Sequence, residues 1–145
     1  MRYWLYKSEP ATWSWDQQKA KGEAGEEWTG VRNYQARNFM REMRVGDRGF
    51  FYHSNEGKEV VGIVEVVTEI HPDSSTEDPK WECVDIKAVM DVPTPVSLDQ
   101  IKAEAKLKDM VLVTNSRLSV QPVTEAEFAH VCTMGGVDPK AAMQG

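Results

Sequence analysis

The stretch Trp28-Thr-Gly-Val-Arg-Asn-Tyr-Gln-Ala-Arg-Asn-Phe-Met40 gathers residue types that bind a heterocycle carrying phosphate. A glycine turn opening onto a helix presents free backbone N–H groups and the positive end of a helix dipole, which suit an anion. Trp28 alongside offers a flat apolar face for a ring. A ligand with both a ring and a phosphate is a nucleotide. The competing reading of Trp28 is a loop residue folded onto the core, yet it stands outside any periodic apolar pattern.

Other candidates lie where strands end. Lys7, Ser8 and Glu9 close the first strand: Lys7 for a phosphate, Ser8 to donate to or accept from a base, Glu9 to accept from an exocyclic amine. His53, Ser54 and Asn55 close another, and the Asn55 amide could bond a base edge through donor and acceptor together. Asn55-Glu56-Gly57 is equally good hairpin chemistry. Trp81, after Pro79-Lys80, is a candidate second wall. Arg32, Asn33 and Tyr34 fall at the start of the helix, where Asn33 can act as its N-cap and leave Arg32 and Tyr34 free for ligand. Arg37, Arg41 and Arg44 share one helix face and could track a phosphate backbone, or pair with nearby carboxylates as a solvated face. Arg117 and Ser119, beside the last strand, complete the set. Trp4 and Trp15 read as structural, and Trp13 has no assigned role.

Few elements are needed to position these groups. Tyr3 to Lys7 reads as a strand, and Ser14 with Gln17 caps a short helix to about Ala20. A solvated loop spans 21–27. Ala36, Phe39, Met40 and Met43 fall on one stripe and predict a helix over Asn33 to Arg44, ended by Gly46. Arg48 to Ser54 predicts a strand buried on both faces. Glu59 to Ile70 predicts a long one in which Gly62 marks a bulge or close backbone approach, partnered by Trp81 to Met90. Ser97 with Gln100, and Thr124 with Glu127, are capping boxes for two more helices. Met110 to Val113 reads as a short strand or buried segment, and Leu118 to Val123 as a strand. Strands without regular βαβ alternation predict an α+β fold: a curled mixed β-sheet or pseudo-barrel flanked by helices. Residues 1–136 form one domain on this reading, with 137–145 a frayed tail.

The chain has 145 residues and a net charge of −6, which argues against indiscriminate coating of a polyanion. Five arginines between Arg32 and Arg48 face only Glu42 and Asp47, a local balance of +3 that leaves −9 elsewhere. Such a patch suits local docking. Cys83 and Cys132 are isolated and read as buried or idle thiols; His53, His71 and His130 lack metal-ligand spacing, so neither metal nor cofactor is expected. With no signal-peptide pattern and no apolar run able to span a bilayer, the expectation is a cytoplasmic chain without a membrane partner.

Five motifs in one order then carry a resemblance: Lys7-Ser-Glu-Pro10, the Trp28 to Phe39 stretch, Phe50-Phe-Tyr-His-Ser-Asn55, Pro79-Lys-Trp81 and Arg117-Leu-Ser-Val-Gln-Pro122. Together they resemble the EVE domain, a PUA-like family that includes the thymocyte nuclear proteins of animals. The likeness runs from Tyr3 to about Phe128. It implies a PUA-like pseudo-barrel related to YTH domains, and binding of a modified nucleobase, methylcytosine derivatives among them, in an aromatic-lined pocket. The partner implied is a nucleic acid or modified nucleotide, with any effector a separate protein. The rival implication, from PUA-like relatives of the ASCH type, is a small amidohydrolase acting on modified cytidine through Lys7, Glu9 and Ser8 or Ser54. A non-enzymatic reader is the expectation, since no nucleophile elbow or Cys–His pair is evident.

Overall fold

The computed structural model describes residues 1–143. Its centre is a six-stranded mixed sheet, open rather than closed, built from β1 (Tyr3–Ser8), β2 (Glu26–Glu27), β3 (Arg48–His53), β4 (Glu59–Pro72), β5 (Glu82–Ser97) and β6 (Val120–Val123) in the order β2-β5-β4-β3-β1-β6. The β1–β3 pair is parallel and the other neighbours are antiparallel. Around the sheet lie α1 (Trp15–Ala20), α2 (Tyr34–Glu42), α3 (Leu98–Ala103), α4 (Val111–Thr114), α5 (Glu125–Met134) and α6 (Pro139–Met143).

Strand alternation divides the core in two. Tyr3 and Leu5 of β1 join Phe50 and Tyr52 of β3 on one face, against Phe128 and Val131 of α5. Trp4, Tyr6 and Phe51 point the other way, against Trp15, Trp28 and the Ala36–Met40 stripe of α2. The Phe50-Phe51-Tyr52 run is therefore buried on both faces, as a central strand requires. All three capping boxes form, at Ser14, Ser97 and Thr124.

Gly62 marks a bulge, and the group that comes close to it is a side chain rather than another backbone. The β4–β5 and β3–β4 registers slip around it, and a Cβ there would lie 2.2 Å from the Trp15 indole. Trp15 packs over the sheet at this gap and donates its Nε1–H to Asp91 at 2.7 Å.

Several bounds differ from expectation. Helix α2 ends at Glu42, because Met43 is already extended. Strand β5 runs on to Ser97 through Pro93 and Pro95, which fall in the slip between the Gly62–Asp91 and Val60–Val96 pairs, where no ladder N–H is needed. Segment 111–114 is helical, with Leu112 buried, and Glu26–Glu27 forms a short edge strand rather than a loop. The expected frayed tail is also corrected. Residues 139–143 form α6, its Ala142 is fully buried, and the Ala142 carbonyl accepts from Arg48 Nη1 at 3.1 Å. Residues 144 and 145 of that tail lie outside the described residues.

Candidate nucleobase-binding cavity

A cavity of about 620 Å³ opens between the end of β1, the β2 edge and the turn after Trp28, within the range of small-ligand sites. Of the candidates named from sequence, the fold brings Lys7, Ser8, Glu9, Trp28, Arg32 and Ser119 to its lining. Trp13, Thr12, Glu26, Glu27, Ser74 and Ser75 line it as well. These were missed because Trp13 has no periodic signature, Glu26 and Glu27 fall in the stretch 21–27 that reads as a solvated loop, and Thr12, Ser74 and Ser75 lie between the predicted elements.

The indole of Trp28 is only 7% exposed, wedged edge-on between Tyr6 and Phe51 at centroid distances of 5.5 and 5.6 Å. It borders the cavity while belonging mainly to the core. Trp13, the other aromatic ring of the lining, is partly exposed, and its Nε1–H is fixed by Gln18 at 3.0 Å.

The glycine turn departs from expectation. The Gly30 N–H is not free for an anion, because it donates to the buried Asp73 carboxylate at 2.9 Å. Arg32 reaches the same oxygen at 3.2 Å and donates to Ser75 Oγ at 3.2 Å. Burial would push the Asp73 carboxyl up, but hydrogen bonds from Ser75, Gly30 and Arg32 outweigh it and hold the group below its ordinary value. Asp73 thus braces one rim of the cavity from the β4–β5 loop. At the head of α2, Asn33 is occupied as the N-cap, its Oδ1 accepting from Ala36 N at 2.9 Å.

On the opposite wall the Ser8 hydroxyl donates to the Trp13 carbonyl, which leaves it an acceptor only. Lys7 Nζ donates to the Ser116 carbonyl at 2.6 Å, and partial burial lowers the pKa of the amine. Glu26 is paired with Lys21 at 3.0 Å, and Glu27 Oε2 accepts from Ser74 at 2.7 Å. Carboxylates outnumber cations around the rim, so the cavity suits a ligand edge rich in N–H donors better than a bare phosphate.

The remaining candidates lie outside the lining. His53 Nε2 accepts the Trp15 N–H at 3.0 Å, and burial lowers its pKa, partly offset by Glu59 and Asp16. The Ser54 N–H is bonded to the Ser8 carbonyl. Asn55 has φ +68° in the β3–β4 turn, so its hairpin role is realised. Arg117 is exposed in the turn before β6. Trp81 is no cavity wall: it stacks on the exposed Tyr34 at 5.0 Å, with Arg37 over the Tyr34 ring at 4.9 Å and Arg32 over Trp81 at 5.6 Å. Arg37 also donates to the Lys80 carbonyl, Arg41 pairs with Glu82, and Arg44 donates to the Met43 carbonyl. Arg48, counted in the basic cluster, is buried and paired with Glu65 at 2.9 Å.

The EVE domain family model matches residues 2–134. The chain belongs to the EVE domain family. This EVE domain superposes on a crystal structure of an Agrobacterium tumefaciens protein with a TM-score of 0.97, at 64% identity over 100% of this chain and 99% of that one. Human thymocyte nuclear protein 1 is 37% identical over 94% of this chain and 75% of its own length. The crystal structure of the human protein in complex with 5-methylcytosine-containing DNA superposes with a TM-score of 0.87, at 36% identity over 96% of this chain and 100% of that one. A Zygosaccharomyces rouxii YTH domain, solved with N6-methyladenosine RNA, shares the fold at a TM-score of 0.58 and 15% identity, over 92% of this chain and 86% of that one. The open mixed sheet of this EVE domain is thus the PUA-like arrangement that the sequence motifs imply.

Proposed function

We propose that this EVE domain is a non-enzymatic nucleic-acid reader that takes one modified base, a methylated or hydroxymethylated cytosine or a methylated adenine, into the cavity beside Trp13 and Trp28. The observation that carries the reading is the lining itself. Two indoles supply an apolar border, while Glu9, Glu27 and the Ser8 oxygen supply acceptors for the exocyclic amine that cytosine and adenine share. The human relative's structure with 5-methylcytosine DNA supports the same ligand class.

Outside the cavity, the Tyr34–Trp81 stack with Arg37 offers a platform for a flanking nucleotide. Of the three arginines on that helix face, Arg37 is the phosphate contact of choice, since Arg41 is held by Glu82. The reader acts in the cytoplasm and hands its signal to a separate effector protein.

The test is binding of fluorescent oligonucleotides carrying each modification against unmodified controls, over a series of salt concentrations. Trp13→Ala is expected to weaken the modified strand by about 1–3 kcal/mol and to leave the unmodified strand almost unchanged. Arg37→Ala is expected to weaken both equally and reduce the salt slope by about 1. Equal loss for both strands on Trp13→Ala would overturn base reading. One observation favours the amidohydrolase alternative: the pKa of Lys7 is lowered and it shares the cavity with Glu9 and Ser8. Turnover of acylated cytidine that Lys7→Ala abolishes would replace the reader with that enzyme.

A further inference from the structure

We propose that Glu27, His71, Cys83 and Asp85 form a binding site for a divalent transition metal of the zinc type, set in the wall behind the cavity. The proposal does not require base reading, although the two sites share Glu27, whose Oε1 faces the cluster while Oε2 stands on the Ser74 side in the cavity lining. Spacing along the chain gives no hint of it, because three strands contribute. The β4–β5 register sets His71 opposite Cys83, the β2–β5 register sets Glu27 opposite Asp85, and Cys83 and Asp85 lie two apart on one strand. The slip between Thr68 and His71 brings the imidazole into line.

One ligand atom from each residue lies within 4.8 Å of the others. Cys83 Sγ is 3.9 Å from Glu27 Oε1 and 4.0 Å from His71 Nε2, which is 2.7 Å from Asp85 Oδ1. Ligands of a tetrahedral zinc ion, with bonds of about 2.0–2.3 Å, sit roughly 3.3–3.8 Å apart. To reach that geometry from ligand atoms that lie within 4.8 Å of one another, the most distant pairs close by up to about 1 Å, and His71 and Asp85 part by about 0.6 Å. Imidazole, thiolate and carboxylate together match a borderline cation better than magnesium or calcium.

Two contacts outside the cluster aim it inward. Ser74 holds Glu27 Oε2 at 2.7 Å, which turns Oε1 towards Cys83. His71 Nδ1 meets the Pro72 carbonyl at 2.9 Å, the outer-shell bond that fixes a metal-ligating histidine with Nε2 free. A neutral imidazole donating to Pro72 has only a lone pair at Nε2, and that lone pair faces the Asp85 carboxylate. A cation between them removes the conflict; a second proton on the ring is the rival occupant. Without a cation, burial and the nearby carboxylates push the Cys83 thiol up to about 12, and a bound metal would reverse that. Metal here would pin the β2 edge to β4 and β5, and fix the Glu27 wall of the cavity.

The test is titration of the reduced, chelator-stripped protein with cobalt(II), followed by absorption. One equivalent is expected to give thiolate-to-cobalt charge transfer and the intense visible bands of four-coordinate cobalt. Cys132→Ser should keep both, and Cys83→Ser should lose the charge transfer. Asp85→Asn should lower the affinity at least about tenfold, which serves as the second arm if Cys83→Ser fails to fold. Zinc should displace cobalt and raise the Tm of wild type but not that of folded Cys83→Ser. Absence of thiolate charge transfer with Cys83 reduced, or its survival in Cys83→Ser, would overturn the proposal and leave the proton as occupant.

Discussion

The buried carboxylate of Asp73 accepts the backbone N–H of Gly30 across 43 residues of sequence, at 2.9 Å. That bond joins the β4–β5 loop to the turn after Trp28, so two segments far apart in the sequence become one rim of the cavity. It also converts a turn suited to anions into one already satisfied by a carboxylate.

Asp73→Asn keeps the shape and removes the charge that holds Gly30, Ser75 and Arg32. The expected cost is about 1–3 kcal/mol of stability by urea denaturation, with weaker oligonucleotide binding as the rim loosens. Because the folded pKa lies below the ordinary value of 3.8, this contribution is fully present above that pH. It is lost as pH falls through the lower folded value. The variant should therefore show a shallower acid-side loss of stability than wild type; an unchanged slope would mean that the carboxylate is not the brace described.

Gly62→Ala places a methyl group against the Trp15 indole, where the space is 2.2 Å. The clash is with a ring held between Asp91 and Phe51, which cannot swing away as a flexible chain end would. Overpacking of this kind is expected to cost about 1–3 kcal/mol, read as a lower Tm. The double variant Gly62→Ala with Trp15→Leu should recover part of that loss, whereas additive losses would place the strain elsewhere.

His53 links stability to mild acid. Burial, partly offset by Glu59 and Asp16, lowers its folded pKa, and the neutral ring accepts the Trp15 N–H. The unfolded chain takes up the proton first, so this stability is present above the ordinary value of 6.5 and falls away as pH drops towards the lower folded value. His71 works in the opposite sense: burial lowers its pKa, but the Asp85 and Pro72 hydrogen bonds more than offset this and raise it. Comparing His53→Gln with wild type in the presence of EDTA isolates the first effect. Between about pH 7.5 and about pH 5.5 the variant should lose less stability than wild type, and parallel loss would count against the linkage.

The legible part of this molecule is local. Capping boxes at Ser14, Ser97 and Thr124, the buried Phe50-Phe51-Tyr52 strand and the Gly62 bulge follow from hydrogen-bond needs and side-chain alternation within a few residues, and each is realised. The order of the five motifs carried the family. Half-legible were Lys7, Ser8, Glu9, Trp28, Arg32 and Ser119: polar or aromatic groups at strand ends and turns, where a cavity wall is commonly made. Asn55, His53 and Trp81 carry the same kind of signal, yet a left-handed turn, a backbone N–H and a neighbouring tyrosine claim them.

Sequence by itself determined the longer elements, their caps and the family, because those depend on neighbours along the chain, whereas β2, α4 and α6 emerged only with the tertiary packing. Tertiary structure alone decided which side chains meet. The register of β2 and β4 on β5 sets Glu27, His71, Cys83 and Asp85 side by side, and the return of the β4–β5 loop puts Asp73 under Gly30. A slip of one residue in either pairing would turn those groups to the opposite face, and nothing in the spacing of the residues themselves records which register the packed sheet selects.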